Sequence, residues 1–580
     1  LIGILMCGAS YIPADPYFPA DRIQLILEDA KALVVIAQQS TKHIVEGSSF
    51  IKNLLLADDS SLQDIINAPN DTCLDISSQH PCAEDVAYIM FTSGSTGRPK
   101  GVPITHSAMT NFLLSMAVTP GASSSDKVLA LTTLSFDISV LELFLPLLVG
   151  ATIVLANRED ILDPFRLIHL IDKHEVSILQ ATPATWRMLI ESGWKPQKHQ
   201  KILCGGEAFP NDLAEVLYEN SDQLWNMYGP TEATVWASCH KISKDDIEYL
   251  TTSLGSIPLG ETIANVTYLV VNEEGEIAQS EEPGELWIGG ECLSTGYIER
   301  PDLNAKQFIT SDLCGGCSNG YYRTGDLVQQ NSNGNIYYID RIDNQVKIRG
   351  FRIELGEIET VLKQSHQIQD AVVIVNKPKS GDGHLIACIR SDVSDVSFEE
   401  LSALLAKHVP QYMIPSQWAM LNEFPLTPNN KVDRKKLAAF VLADMPKRNT
   451  NILELSDDVD KKLLSIWNNL LSADICTIND DFFKLGGHSL LAARLALQIQ
   501  SEFKIQTKIV DIFTNPTLKK QLAFIKNSEA NTFTELVNDA KGPFNLTTVQ
   551  KGIWFIGESR RNHTIYHESE AYLVDGVLNK

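Results

Sequence analysis

Three short runs of aliphatic and β-branched residues, Leu33–Ala37, Ala151–Ala156 and Val176–Leu179, alternate with helical periodicity at Arg22–Ala30 and Phe165–Lys173. Apolar runs too short for helices read as buried strands, and helices between them carry the chain back to a parallel neighbour. The first 230 residues are therefore expected to form an α/β domain around a largely parallel sheet. From about 254 to 340 the chain turns strand-rich, with Asn265–Val271, Gly284–Ile288 and Asn335–Ile339. A smaller α+β region follows to about 440, with strands at Ala371–Val375 and Leu385–Ile389. At 580 residues the chain has room for about four units of ~150 residues each.

Two stretches carry chemistry. The first, Tyr88-Ile-Met-Phe-Thr-Ser-Gly-Ser-Thr-Gly-Arg-Pro-Lys-Gly101, is a strand running into hydroxyls and glycines that close on a lysine. Glycines bring backbone N–H groups close to a polyphosphate, the hydroxyls of Thr92, Ser93, Ser95 and Thr96 donate to it, and Lys100 offsets its charge. The Walker spacing is absent. The second, Asp481-Phe-Phe-Lys-Leu-Gly-Gly-His-Ser-Leu490, places Ser489 at the start of a helical run whose Leu490, Ala493 and Leu497 predict a buried face. Gly486 and Gly487 let the backbone turn before that helix, and a helix N-terminus favours a bound phosphate. On its own, such a serine reads as a helix cap.

Composition narrows the classes. A net charge of −24 argues against a nucleic-acid surface, and no apolar run approaches the ~20 residues that span a bilayer. Ten scattered cysteines favour a reducing compartment, hence the cytoplasm. The one tight pair, Cys314 and Cys317, is weak evidence for a metal, since zinc needs four ligands.

The Gly-Gly-His-Ser-Leu stretch resembles the attachment site of acyl and peptidyl carrier proteins, which implies 4'-phosphopantetheine on Ser489. The phosphate loop, with Asn226-Met-Tyr-Gly-Pro-Thr-Glu232, Tyr322-Arg-Thr-Gly-Asp326, Asp340-Arg-Ile-Asp-Asn-Gln-Val-Lys-Ile-Arg-Gly350 and Asn430-Lys-Val-Asp-Arg434, resembles the adenylation domain of nonribosomal peptide synthetases in the family's order. The resemblance implies a multidomain chain. Its adenylate-forming α/β large domain would span 1–342, although the opening Met6–Asp15 resembles a motif that lies inside the domain, so a truncated start is expected. A small mobile α+β subdomain (343–441, hinge at Asp343), a linker (442–455), an all-α four-helix carrier bundle (456–528), a second linker (529–542) and the start of a condensation domain (543–580) would follow.

Glu232 is a carboxylate that can reach Mg²⁺ on the phosphates, and Asp326 can accept from two ribose hydroxyls. The resemblance gives them those roles, adds Gly94, Gly97 and Gly206 to the ATP site, and assigns Asn226 and Tyr228 to the adenine and Arg341 to the nucleotide near the hinge. Lys431 is implied as the catalytic lysine bridging the substrate carboxylate and the α-phosphate. Asn430 and Asp340 stand where the family usually has glycine. The amino-acid pocket implied by alignment is Asp137, Ile138, Leu141, Gln180, Leu203, Gly205, Met227, Val235, Trp236 and Lys431. Trp236, Gln180 and Met227 leave little volume, which points to glycine, while Gly205 is expected to open one wall. Implied partners are an amino acid, a phosphopantetheinyl transferase and neighbouring condensation domains. An acyl-CoA synthetase shares the phosphate loop and Asp326, but Ser489 and the ammonium partner Asp137 disfavour it. An inert carrier or docking segment is the other alternative, separated by pyrophosphate exchange.

Overall fold

The computed structural model describes residues 1–46, 51–59, 81–94, 97–252, 256–311, 313, 320–348, 350–376, 383–393, 396–426, 432–444, 457–471, 478–483, 485, 487 and 489–528. Its centre is a seven-stranded sheet ordered Glu261–Thr262, Ser238–Lys241, Gln223–Tyr228, Lys201–Gly205, Ile178–Ala181, Lys127–Ala130, Thr152–Leu155. The last five strands are mutually parallel. Their residues alternate between two cores: Val128, Ile178 and Leu203 face one, and Leu129, Leu179 and Ile202 face the other, as period-two side chains require. Strand order reverses between Lys127–Ala130 and Ile178–Ala181. Such a switch point opens a crevice at the strands' carboxyl ends, where Asp137, Thr182, Gly206 and Glu232 follow in sequence.

A second, antiparallel sheet holds Val266–Val271, Pro283–Gly290, Phe308–Ile309, Tyr321–Gln330 and Ile336–Arg341. Beyond it, the hairpin Gln345–Ile348/Phe351–Glu354 leads into the helix Leu355–Leu362. A three-stranded sheet of Asp370–Asn376, His384–Arg390 and Gln417–Met420 completes the small α+β unit, with helices Phe398–His408 and Arg434–Asp444. That last helix runs three residues into the stretch expected to be linker. Four helices, Asp458–Leu471, Ser489–Phe503, Ile509–Thr514 and Leu518–Asn527, enclose their own core of Leu463, Trp467, Phe482, Leu495, Ile499 and Leu522.

Three expectations need correcting. Val34–Ala37 is a strand but pairs only with Asn53–Leu56, so Val34 and Ile36 stay half exposed rather than buried. Thr152–Leu155 is the sheet's edge, and Leu155 is 72% exposed. In the helix from Ser489, the buried stripe is Ala492, Leu495, Ala496 and Ile499 beside Ala493, while Leu497 is only half buried. Trp467 and Phe482 cover that stripe and so decide the helix's rotation. No helix among the described residues is long and apolar enough to cross a membrane. Cys314, Cys317 and the expected condensation start lie outside the described residues.

Candidate active site

The stretch expected to cradle phosphate links two antiparallel strands. The strand Val86–Thr92 turns back into Lys100–Thr105 with Thr92 opposite Lys100. Gly97 has φ +82°, a backbone that glycine adopts without strain, and a Cβ on Gly94 would strike the Arg98 carbonyl. Ser95 and Thr96 lie outside the described residues. The loop's donors already hold anionic and carbonyl oxygens. Gly94 N–H donates to Glu357 Oε2 at 3.0 Å, Ser93 Oγ donates to the Arg352 carbonyl at 2.8 Å, and Lys100 Nζ donates to Glu354 Oε1 at 3.1 Å. Glu357 is held in turn by buried Arg22 at 2.5 Å. The small subdomain therefore presents its hairpin and following helix to the loop.

The implied nucleotide residues converge beside it. Asp326 is buried and has both oxygens engaged, one by Tyr228 Oη at 2.5 Å and one by Arg341 at 2.8 Å. The same guanidinium grips Asp343 through two nitrogens, tying the expected hinge to the expected ribose site. Asn226 donates to the Pro258 carbonyl at 2.8 Å. Glu232 is fully buried, accepting from Tyr297 Oη at 2.7 Å and from Arg352 at 2.6 Å. Burial opposes its ionisation, but Arg352 and Lys100 outweigh that and hold its pKa down to about 2. Arg352, Glu354, Glu357 and Arg22 had not been singled out from sequence. The first three lie within seven residues of Gly350, where the quoted motif ended, and reading that run further was the available signal.

The residues implied to line an amino-acid pocket form a packed wall. Asp137 is buried, and burial pushes its pKa up to about 6 against a hydrogen bond from Thr231, with nearby Glu232 adding to the rise. Ile138, Leu141, Leu203, Met227 and Val235 are all buried. Thr234 and Val235 have φ +55° and +67°, left-handed values that are uncommon for β-branched residues, and this turn delivers Trp236 into the wall. Trp236 Nε1 donates to Gln180 Oε1 at 2.8 Å. A Cβ on Gly205 would lie 2.7 Å from Trp236 Cη2. Gly205 therefore opens no wall, contrary to expectation: a side chain there would strike both the Met227 carbonyl, at 2.5 Å, and the indole. Gly206, at φ +87°, lies against Ile138 and Phe136.

A cleft of about 1730 Å³ lies beside these parts; of the implied nucleotide and amino-acid residues it reaches Thr92, Ser93 and Ile138, while Asp137, Gln180, Trp236, Glu232 and Asp326 lie behind its wall. It runs from Ser93, Ile138 and Thr231 past Arg352, Tyr412 and Trp418 to Phe483, Leu485 and Gly487 of the four-helix unit. Gly487 lies two residues before Ser489, where the helix starts. The four-helix unit is also tied to the large subdomain by an ion pair, Arg494 to Glu191, at 2.6 Å. Lys431 is outside the described residues. Its neighbour Val432 packs on the small subdomain's core of Val372, Ile374 and Leu437.

The residues suit ATP and its Mg²⁺. Gly94 N–H already carries a carboxylate where an anion belongs, and buried Thr92 Oγ1 has no hydrogen-bond partner among the described residues. No group of three His, Cys, Asp or Glu able to hold a metal occurs among the described residues. Glu232, the carboxylate that the resemblance assigns to Mg²⁺ on the phosphates, has both oxygens held here, by Tyr297 and by Arg352.

Comparison with known proteins agrees with this geometry. The AMP-binding enzyme family model matches residues 1–298, and the phosphopantetheine attachment site model matches residues 461–525. The dimodular nonribosomal peptide synthase of Bacillus subtilis (strain 168) is 37% identical across all of this chain and 24% of its own length. Bacitracin synthase 3 of Bacillus licheniformis is 35% identical over 96% of this chain and 8% of its own length. The chain thus spans a quarter or less of these curated relatives. Among solved structures, a holo four-domain nonribosomal peptide synthetase bound to AMP and glycine is 37% identical, with TM-score 0.52, covering 91% of this chain and 38% of that one. A holo protein with adenylation and PCP domains, bound to a vinylsulfonamide inhibitor, is 26% identical with TM-score 0.74, covering 91% and 85%. The second unites an adenylation and a PCP domain, and this chain belongs to the AMP-binding enzyme family and carries a phosphopantetheine attachment site unit beyond it, as the nonribosomal peptide synthetases it is similar to do.

Proposed function

We propose that this chain activates glycine with ATP, giving glycyl-adenylate and pyrophosphate, and loads it on its own carrier. The observation that carries the choice of substrate is the indole of Trp236, locked by Gln180 and filling the space beside Gly205. The 37% identical structure bound to AMP and glycine supports the same choice. In the reaction, Asp137 pairs with the substrate ammonium and Lys431 with its carboxylate. The phosphate loop and Lys100 hold the triphosphate, Asp326 and Tyr228 hold the ribose and adenine side, and Glu232 meets Mg²⁺, which offsets phosphate charge. Rate comes from positioning and preorganised charge. Bound to Ser489, phosphopantetheine supplies the thiol that accepts the glycyl group. We further propose domain limits of 1–342, 343–441 and 456–528, a phosphopantetheinyl transferase and neighbouring condensation domains as partners, and a cytoplasmic setting.

Amino-acid-dependent pyrophosphate exchange tests this reading. Glycine is expected to lead, with some alanine accepted, since one methylene is worth only ~1–3 kcal/mol against a pocket wall. Preference for a large or aromatic amino acid overturns the glycine assignment, and no exchange at all favours an inert carrier segment.

The acid limb of the glycine profile is a second expectation. A carboxylate titrating near pH 6 is ionised above that value and loses its charge below it. The kcat/KM for glycine should therefore fall about tenfold per pH unit below pH ~6, because the protonated form cannot pair with the ammonium. Asp137→Asn should remove this limb and lower kcat/KM at neutral pH by at least about 30-fold, the loss expected for one partner of a buried charge pair. A pH profile unchanged by that substitution would mean that Asp137 does not meet the ammonium.

A further inference from the structure

We propose that Glu142, one layer behind the pocket wall, is a positioning residue that sets which amino acids fit, by orienting the amide of Gln180 and through it the indole of Trp236. This rests on reading the pocket as the amino-acid site. Glu142 projects from the helix Ser139–Val149 and is fully buried. Its two oxygens accept from Leu131 N–H at 2.9 Å, Thr132 N–H at 2.9 Å, Thr132 Oγ1 at 2.6 Å and Gln180 Nε2 at 3.1 Å.

Burial pushes the Glu142 carboxyl up to about 7 against these hydrogen bonds; in its ionised form it only accepts, at about four lone-pair sites, and four donors fill them here. Gln180 must therefore turn its NH₂ towards Glu142, where it also reaches the Ile138 carbonyl at 3.0 Å. Its carbonyl oxygen then faces the other way. There it meets Trp236 Nε1, a group that can only donate, at 2.8 Å. Acceptor at one end and donor at the other permit a single amide orientation. A reversed amide would set oxygen against oxygen and N–H against N–H, freeing the indole from its place beside Gly205. Glu142 thus acts on substrate size without touching substrate.

Glu142→Gln keeps the shape but introduces an NH₂ that donates, so the Gln180 NH₂ meets a donor in place of one of its two acceptors and keeps only the Ile138 carbonyl on that side. The glycine-over-alanine ratio of kcat/KM in pyrophosphate exchange should fall about tenfold, the scale on which a pocket wall discriminates one methylene. The KM for ATP should stay unchanged. Gln180→Leu should lower the ratio similarly, and the double variant should add nothing further, as expected of residues acting in one chain. Thr132→Val, which removes one Glu142 donor without touching Gln180, should leave the ratio intact.

Acrylamide quenching gives a readout independent of activity. The signal of Trp236, taken as the difference from matched Trp236→Phe proteins, should be more accessible in Glu142→Gln than in the parent. Equal losses for glycine and alanine, or unchanged quenching, would reduce Glu142 to a brace for residues 131–132 and overturn the proposal. A parent that prefers a large amino acid fails the glycine reading instead, while the quenching comparison still decides whether Glu142 orients the indole.

Discussion

Ser489→Ala is expected to abolish carrier loading completely while adenylation continues. Incubated with a phosphopantetheinyl transferase and coenzyme A, the parent protein should gain the mass of one arm, and the variant none. The reason is local. The Gly-Gly-His-Ser-Leu run is not shared by any other serine of the chain, and Ser489 opens the helix Ser489–Phe503 just past Gly487, a residue lining the cleft. Stability should change little, because alanine at a helix start costs ~0.5–2 kcal/mol and the four-helix core rests on Leu463, Trp467, Phe482 and Leu495. Pyrophosphate exchange depends on the large subdomain and should persist. If the variant still gains the arm's mass, the modification lies elsewhere and the assignment of Ser489 fails.

Lys431→Ala should lower adenylate formation by roughly 10²–10³-fold, the scale of removing one preorganised donor from a developing anion. Thermal unfolding should be nearly unchanged. The surrounding segment is anchored by its neighbours: Val432 packs on the subdomain core, and Arg434 holds Glu359 at 2.7 Å and the Val373 carbonyl at 2.6 Å. Single-turnover adenylation and a melting curve on the same sample separate the two roles. Parallel loss of activity and stability would make Lys431 a structural residue. In the arrangement seen here, Arg352, Glu354 and Glu357 are the small-subdomain groups that meet the phosphate loop and Glu232. If Gly94 N–H meets the triphosphate as proposed, the Glu357 carboxylate has to leave it, since one N–H cannot serve both anions in full.

Much of this was legible along the chain. Apolar runs alternating with helical periodicity announced an α/β unit, but of the three runs only Val176–Leu179 lies buried on both faces within the seven-stranded sheet, while Thr152–Leu155 is its edge. The hydroxyl and glycine loop showed itself because phosphate recognition uses adjacent backbone groups. Errors arose where a neighbour decided the outcome. Val34 and Ile36 have strand composition but, among the described residues, no covering layer, and the helix after Ser489 turns the face carrying Leu495 and Ile499 to Trp467 and Phe482.

Composition and local spacing determined the kinds of element and the hydroxyl and glycine loop, while the order of the units and the residues for ammonium and carrier arm were implied by the resemblance of quoted motifs. Those features are written in adjacent or periodically spaced residues, which is all that a strand, a helix or a loop needs. Only the tertiary structure decided which way the Trp236 indole lies, that a side chain at Gly205 would strike it, and that Arg22 and Glu357, 335 residues apart, meet behind the phosphate loop. Hydrogen-bond direction between packed elements depends on their relative placement in space, and the chain between them carries no periodicity that records it.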